Sequence, residues 1–101
     1  MRVLVFFDLP TETSRDRKIY SKFRKLLIKE GFIMMQESVY SKLTLNSNQS
    51  NYLEERIRKN APSKGLIQML TITEKQYANI EYVIGKGNSK IINSEDKMIV
   101  L

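Results

Sequence analysis

The 101-residue sequence has no cysteine and no histidine, and each absence excludes a class of chemistry. Without cysteine there is no disulfide framework and no thiolate metal site. Without histidine there is no imidazole base, no Ser-His or Cys-His nucleophile and no typical zinc site. The acid–base groups that are left are carboxylates, lysines and tyrosines. If the chain catalyses a reaction, these groups favour a hard cation bound by carboxylates.

Long apolar runs are also missing. No stretch approaches the ~20 apolar residues that cross a bilayer. The first predicted strand begins at Arg2, so we expect no signal peptide and no membrane partner. We expect a cytoplasmic location, and the length allows one domain with a modest core.

The segment from Arg2 to Pro10 predicts a strand over residues 2–9. Five consecutive apolar residues, Val3 to Phe7, are followed by Asp8. Such a run, bounded by a proline that cannot donate a ladder hydrogen bond, is typical of a buried central strand. Asp8 either starts the following turn, as aspartate often does, or presents a rigidly held carboxylate to water, metal or phosphate.

A basic helix is predicted over residues 14–30. Thr13 and Asp16 have the spacing of a capping box, and Gly31 suits the residue after a helix. The stretch from 13 to 31 holds seven basic and two acidic residues, which is almost the whole excess of the +6 chain. A stripe of like charges without acids at i,i+4 favours phosphate binding over a merely solvated face. The predicted nucleic-acid-binding residues are Arg15, Arg17, Lys18, Lys22 and Lys25.

The rest of the chain predicts further elements of both kinds. They are a strand over 32–44 with a bend or bulge near residues 34–37, a helix over 47–60, a strand over 65–73, a short helical turn capped by Thr73, and a strand over 80–84. The last five residues, from Lys97 to Leu101, form an apolar tail.

This order predicts an α+β fold, a ferredoxin-like βαββαβ two-layer sandwich with an extra C-terminal strand. Residues 1–85 would form the ferredoxin-like domain. Residues 86–101 would form a loop and a strand that packs on the sheet in cis or across a dimer. Because the sheet face away from the helices would be partly apolar, we expect a homodimer.

Several segments, taken in order, resemble one known family. They are the apolar strand ending at Asp8, the basic helix with Arg17 and its end at Leu26 to Gly31, the run Gln-Glu-Ser-Val-Tyr at 36–40, and Ile84 with Gly85. Together they resemble the CRISPR-associated Cas2 family. The length and the stretch from Thr73 to Tyr77 are similar to the version that accompanies type II systems. Phe7 stands where many members carry tyrosine.

The resemblance implies a ferredoxin-like homodimer in which two copies of Asp8 face each other across the interface. Asp8 would be the catalytic and metal-binding residue, with Mg²⁺ as the cofactor. The resemblance also implies that the dimer bridges two dimers of the integrase Cas1 while its basic faces hold double-stranded DNA.

Three functions stay open at this point. The prediction is an adaptor in CRISPR spacer acquisition that holds double-stranded DNA and bridges integrase dimers. The alternative is an Mg²⁺-dependent endonuclease, acting on single-stranded RNA or double-stranded DNA, that uses Asp8 from both subunits. A plain RNA-binding module ranks last, because the Lys/Arg-Gly-Phe sheet motif that stacks bases is absent.

Overall fold

The computed structural model describes residues 1–85, which form one antiparallel sheet covered by helices on one face. The elements are β1 (Arg2–Asp8), α1 (Ser14–Lys29), β2 (Ile33–Gln36), β3 (Val39–Leu43), α2 (Ser47–Asn60), β4 (Leu66–Ile72) and α3 (Glu74–Ala78). The strand order is β2-β3-β1-β4, so β1 lies between β3 and β4. This βαββαβ arrangement confirms the predicted ferredoxin-like fold.

Strand β1 supplies the centre of the hydrophobic core. Val3, Val5 and Phe7 are buried together with Phe23 and Leu27 of α1. Successive side chains of a strand point to opposite faces of the sheet. The odd-numbered residues of β1 therefore face the helices, and the even-numbered ones, including Asp8, face the other way.

Helix α1 has a defined structure at both ends, as its sequence predicts. The Thr13 side chain accepts from the Asp16 backbone and the Asp16 side chain accepts from the Thr13 backbone, which completes the capping box. At the other end Gly31 adopts φ 93°, and the Phe32 amide donates to the Leu27 carbonyl at 2.9 Å. This is the Schellman arrangement, with its apolar contact supplied by two buried residues.

The single strand predicted over 32–44 is wrong, because the structure forms a hairpin there. Gln36 pairs with Val39, so the turn between β2 and β3 contains only Glu37 and Ser38. Ser38 adopts φ 69°, a conformation for which glycine or asparagine is the usual signal. A serine gives no such signal. The predicted bulge is present as a register shift between Met34 and Gln36.

An ion pair joins the two long helices. Arg56 of α2 donates to Glu30, the C-terminal cap of α1, from Nε at 3.0 Å and from Nη2 at 2.7 Å. This hydrogen bond, together with the attraction between the two charges, raises the pKa of the Arg56 guanidinium above its ordinary value.

The predictions for the later elements had mixed outcomes. Helix α2, strand β4 and the Thr73-capped helix α3 form as predicted. The predicted strand over 80–84 is wrong, because in the described chain these residues have no ladder partner and Val83 and Ile84 are exposed. A β-strand needs a neighbouring strand as its hydrogen-bond partner, and a local apolar pattern does not show whether the fold provides one. The predicted C-terminal loop and strand of residues 86–101 lie outside the described residues.

The sheet face opposite the helices is largely apolar. The register places Leu4 beside Leu70, Phe6 beside Val39, and Asp8 beside Leu66 on this face. Leu66 and Leu70 are 54% and 53% exposed. We call this surface the open sheet face; its further apolar members are Ile33, Leu43 and Ile72.

Candidate nucleic-acid interface and carboxylate site

Asp8 lies at the end of β1, as the sequence predicts, and the structure places it on the open sheet face. Its backbone is fixed from both sides: Asp8 pairs with Leu66 of β4, and the preceding Phe7 amide donates to the Ser38 carbonyl at 3.0 Å. Its side chain is exposed and forms no ion pair within residues 1–85. The central strand therefore holds a solvent-accessible carboxylate in a rigid position.

The side chain of Phe7 belongs to the hydrophobic core. Its ring centre lies 5.3 Å from that of Phe23, 5.8 Å from that of Tyr20 and 5.7 Å from that of Tyr40. Because β1 alternates, this ring lies on the face opposite Asp8. In this chain position 7 supports the strand that carries Asp8 and stays apart from the carboxylate.

Asp8 alone is one carboxylate of the kind that a metal site requires. Among the described residues no three acidic side chains come together. Mg²⁺ in proteins commonly uses one or two carboxylates and completes its shell with water and substrate phosphate. Asp8 fits that donor set if a second copy of the chain supplies another carboxylate.

Four of the five predicted nucleic-acid-binding residues lie together on α1. They line an open groove of about 460 Å³ along the exposed side of the helix. We call it the α1 groove; its residues are Ser14, Arg17, Lys18, Ser21, Lys22 and Lys25. Cations and hydroxyl groups along one helix suit contacts to a phosphate backbone without base recognition.

Arg17 already has hydrogen-bond partners in this structure. Its Nη1 donates to the Thr11 carbonyl at 3.1 Å and to the Glu12 carbonyl at 3.0 Å. The guanidinium thus holds the loop that connects Asp8 to α1. It has further N–H groups, so its role in nucleic-acid binding stays a prediction.

The structure separates Arg15 from the α1 groove. Arg15 lies with Asp16 and Ile19 along a cleft of about 280 Å³. The opposite side of this cleft is the loop between α2 and β4, with Pro62, Ser63 and Lys64, and Pro10 also lines it. Sequence reasoning missed Ser63 and Lys64. The one available signal was the antiparallel pairing, which brings the start of β4 to the end of β1.

The comparisons with known proteins agree with this fold. The sequence profile of the family described as CRISPR associated protein Cas2 matches residues 1–80. This chain belongs to the Cas2 family. The match covers every element that positions Asp8 and the α1 groove.

Individual members of the Cas2 family are similar over the whole chain. A protein of Treponema denticola named CRISPR-associated endoribonuclease Cas2 is 52% identical, and the alignment covers all of both chains. A protein of the same name from Streptococcus mutans is 48% identical over all of this chain and 93% of its own length. The crystal structure of Streptococcus pyogenes Cas2 at pH 6.5 superposes with a TM-score of 0.63 at 23% identity, covering 84% of this chain and all of that one. At this identity the similarity shows a shared fold.

None of the helices within residues 1–85 is long and apolar enough to cross a membrane.

Proposed function

We propose that this chain acts as a homodimer in CRISPR spacer acquisition, where it holds double-stranded DNA and bridges dimers of the integrase Cas1. The observation that carries the proposal is the α1 groove, in which Arg17, Lys18, Lys22 and Lys25 lie along one exposed helix. Contacts of this kind bind the phosphate backbone and fix a duplex without reading its sequence. Holding DNA fragments of any sequence requires that property.

The open sheet face supports the proposed dimer. Its apolar residues lie on the side of the sheet away from the helices, and Leu66 and Leu70 keep more than half of their surface exposed. Exposed apolar patches of this kind mark interaction sites. We infer that a second copy covers this face. A two-fold axis passing close to the end of β1 would bring two copies of Asp8 together and would leave both α1 grooves on the outside.

Charge reversal in the α1 groove tests DNA holding. Lys18→Glu combined with Lys22→Glu should weaken binding of duplex DNA at least tenfold and reduce the dependence of log affinity on log salt by about 0.9 for each phosphate that the variant no longer neutralises. Fluorescence anisotropy with labelled duplexes over a salt series measures both effects. The matched control is Lys59→Glu with Lys75→Glu, two exposed lysines outside the groove. Equal affinities of the two double variants would remove the α1 groove from the proposal.

A second candidate function is an Mg²⁺-dependent endonuclease, and the exposed Asp8 carboxylate favours it. Curated relatives carry the name endoribonuclease. Asp8 from each of two copies would hold the ion, and bound Mg²⁺ would supply an activated water and neutralise charge on the phosphate. The chain's own contribution is rigidity, since pairing with β4 and the buried Phe7 fix the backbone that carries Asp8. The basic residues would bind the substrate backbone.

The variant Asp8→Ala separates the two functions. We expect it to abolish Mg²⁺-dependent cleavage of single-stranded RNA and of double-stranded DNA, and chelation of divalent ions should do the same to the parent chain. Glu12→Ala, which removes an exposed acid in the next loop, should leave cleavage unchanged. Spacer insertion measured with the integrase completes the test: retained insertion makes bridging independent of Asp8. Lost insertion would assign the carboxylate to assembly or chemistry. Cleavage that survives in Asp8→Ala would contradict the nuclease proposal.

A further inference from the structure

The cleft that contains Arg15 connects two elements that are distant in sequence. One wall is the first turn of α1 with Arg15, and the other is the loop before β4 with Ser63 and Lys64. We call it the Lys64 cleft; Pro10, Ile19 and Pro62 supply its apolar lining. Its volume of about 280 Å³ is close to the lower end of small-ligand sites.

The Lys64 cleft adjoins the strand ends that carry Asp8. Lys64 is followed by Gly65, where an added Cβ would lie 2.8 Å from the Asp8 carbonyl oxygen and 2.7 Å from Leu9 Cδ2. Leu66, the next residue, pairs with Asp8 in the sheet. The backbone at Gly65 therefore lies against Asp8 and Leu9 with no room for a side chain between them.

The charges of the Lys64 cleft favour a monoanion. Arg15 and Lys64 are exposed, and the three ion pairs found within residues 1–85 involve other side chains. Asp16 also lines the cleft, but its Oδ2 accepts the Thr13 amide in the capping box. Two cations and one acid leave one positive charge, which matches the single negative charge of a phosphodiester. The Ser63 hydroxyl adds a neutral donor.

We propose that the Lys64 cleft binds one backbone phosphodiester of the nucleic acid, with Arg15 and Lys64 on the same phosphate. This inference rests on the proposed nucleic-acid function and adds a subsite to it. The α1 groove and the Lys64 cleft lie on different sides of the first turns of α1. A nucleic-acid strand bound by both the α1 groove and the Lys64 cleft would pass the N-terminal end of α1. It would then reach the end of the sheet that carries Asp8.

Neutral substitutions test the subsite in the full chain. Lys64→Gln and Arg15→Gln should each lower the affinity for labelled single-stranded RNA and duplex DNA several-fold, with the salt slope falling by up to about 0.7 for the single strand and 0.9 for the duplex. If both cations bind one phosphate, the effect of the double variant differs from the sum of the single effects. Lys75→Gln is the matched control, since this exposed lysine lies on α3 beyond the opposite end of β1. The proposal is overturned if Lys64→Gln binds both nucleic acids as tightly as Lys75→Gln does, or if the two substitutions are additive.

A small probe separates the subsite from the proposed function. Dimethyl phosphate, the simplest phosphodiester, should shift the amide NMR signals of Ser63 and Lys64 in the parent chain, and the shifts should disappear in the double variant. If the parent chain binds neither nucleic acid but shows these shifts, the proposed function fails, and the cleft is a phosphodiester site whose ligand is not a nucleic acid. If nucleic acid binds and the shifts are absent, the subsite fails and the function stands.

Discussion

At the scale of single residues, Gly65 allows the loop before β4 to pack against the end of β1, which carries Asp8. It adopts φ 96°, and the position of a Cβ is already occupied by Leu9 and by the Asp8 carbonyl. A side chain at this position would push the loop away from the end of β1. Glycine is therefore required by both its backbone conformation and the close approach of a second chain segment.

We expect Gly65→Ala to lower the free energy of unfolding by about 1–3 kcal/mol, because the strained φ and the contacts with Leu9 and Asp8 act together. Gly85→Ala is the control: Gly85 has a similar φ of 92°, but within residues 1–85 nothing lies within 4 Å of the added Cβ. Gly85→Ala should lower the free energy of unfolding by about 1 kcal/mol, from the backbone conformation alone. Urea unfolding followed by circular dichroism measures both, and equal losses would show that the close contact has no energetic effect.

At the scale of elements, the layer of helices depends on a contact between the end of α1 and the middle of α2. Glu30 caps α1 and accepts two hydrogen bonds from Arg56, and its side chain is only 15% exposed. The second helical ion pair, between Glu55 and Arg58, lies within α2 and is about half exposed at both side chains. Exposed pairs within one helix contribute little, so of these two ion pairs the one between the helices contributes more to the stability of the helix layer.

Glu30→Gln should therefore lower the urea midpoint of unfolding more than Glu55→Gln, which removes a comparable charge from the exposed pair. The pH dependence has a definite sign. Pairing raises the pKa of Arg56 in the folded chain, so its contribution is fully present below the ordinary arginine pKa. It is lost only as pH rises through the raised value. The difference between Glu30→Gln and the parent chain should thus stay constant through neutral and mildly alkaline pH, and a difference that vanishes by mildly alkaline pH would contradict this account.

At the scale of the whole molecule, the two faces of the sheet have different roles. One face holds the core with Val3, Val5 and Phe7 against the helices. The other carries the apolar residues around Leu66 and Leu70 together with Asp8. Among residues 1–85 the helices cover only the first face, and the proposed second copy would cover Leu66 and Leu70 on the other.

We expect Leu70→Glu to convert a dimer into a folded monomer, because the charge would be buried between two apolar faces without a partner. Met34→Glu is the control. Met34 is 47% exposed, close to the 53% of Leu70, but it pairs with the core residue Tyr40 and so faces the helix side. Sedimentation or light scattering gives the mass of each variant. A monomeric parent chain, or a Leu70→Glu variant that stays dimeric, would contradict the assignment of the open sheet face.

The sequence by itself determined the parts that depend on neighbouring residues. The strand before Asp8, the capping box of α1 and the concentration of positive charge on that helix follow from patterns a few residues long. Only the tertiary structure decided which segments meet. It folded 33–43 into a hairpin, left 80–84 without a strand partner in the described chain, and brought Lys64 next to the backbone of Asp8.

The tertiary structure also decided that Arg15 lies apart from Lys18, Lys22 and Lys25. Helical spacing places these residues on one broad face, but the loop before β4 packs against only part of that face. The physical reason is that contacts between distant segments depend on strand register and on the fit of packed surfaces. No short stretch of sequence encodes either one.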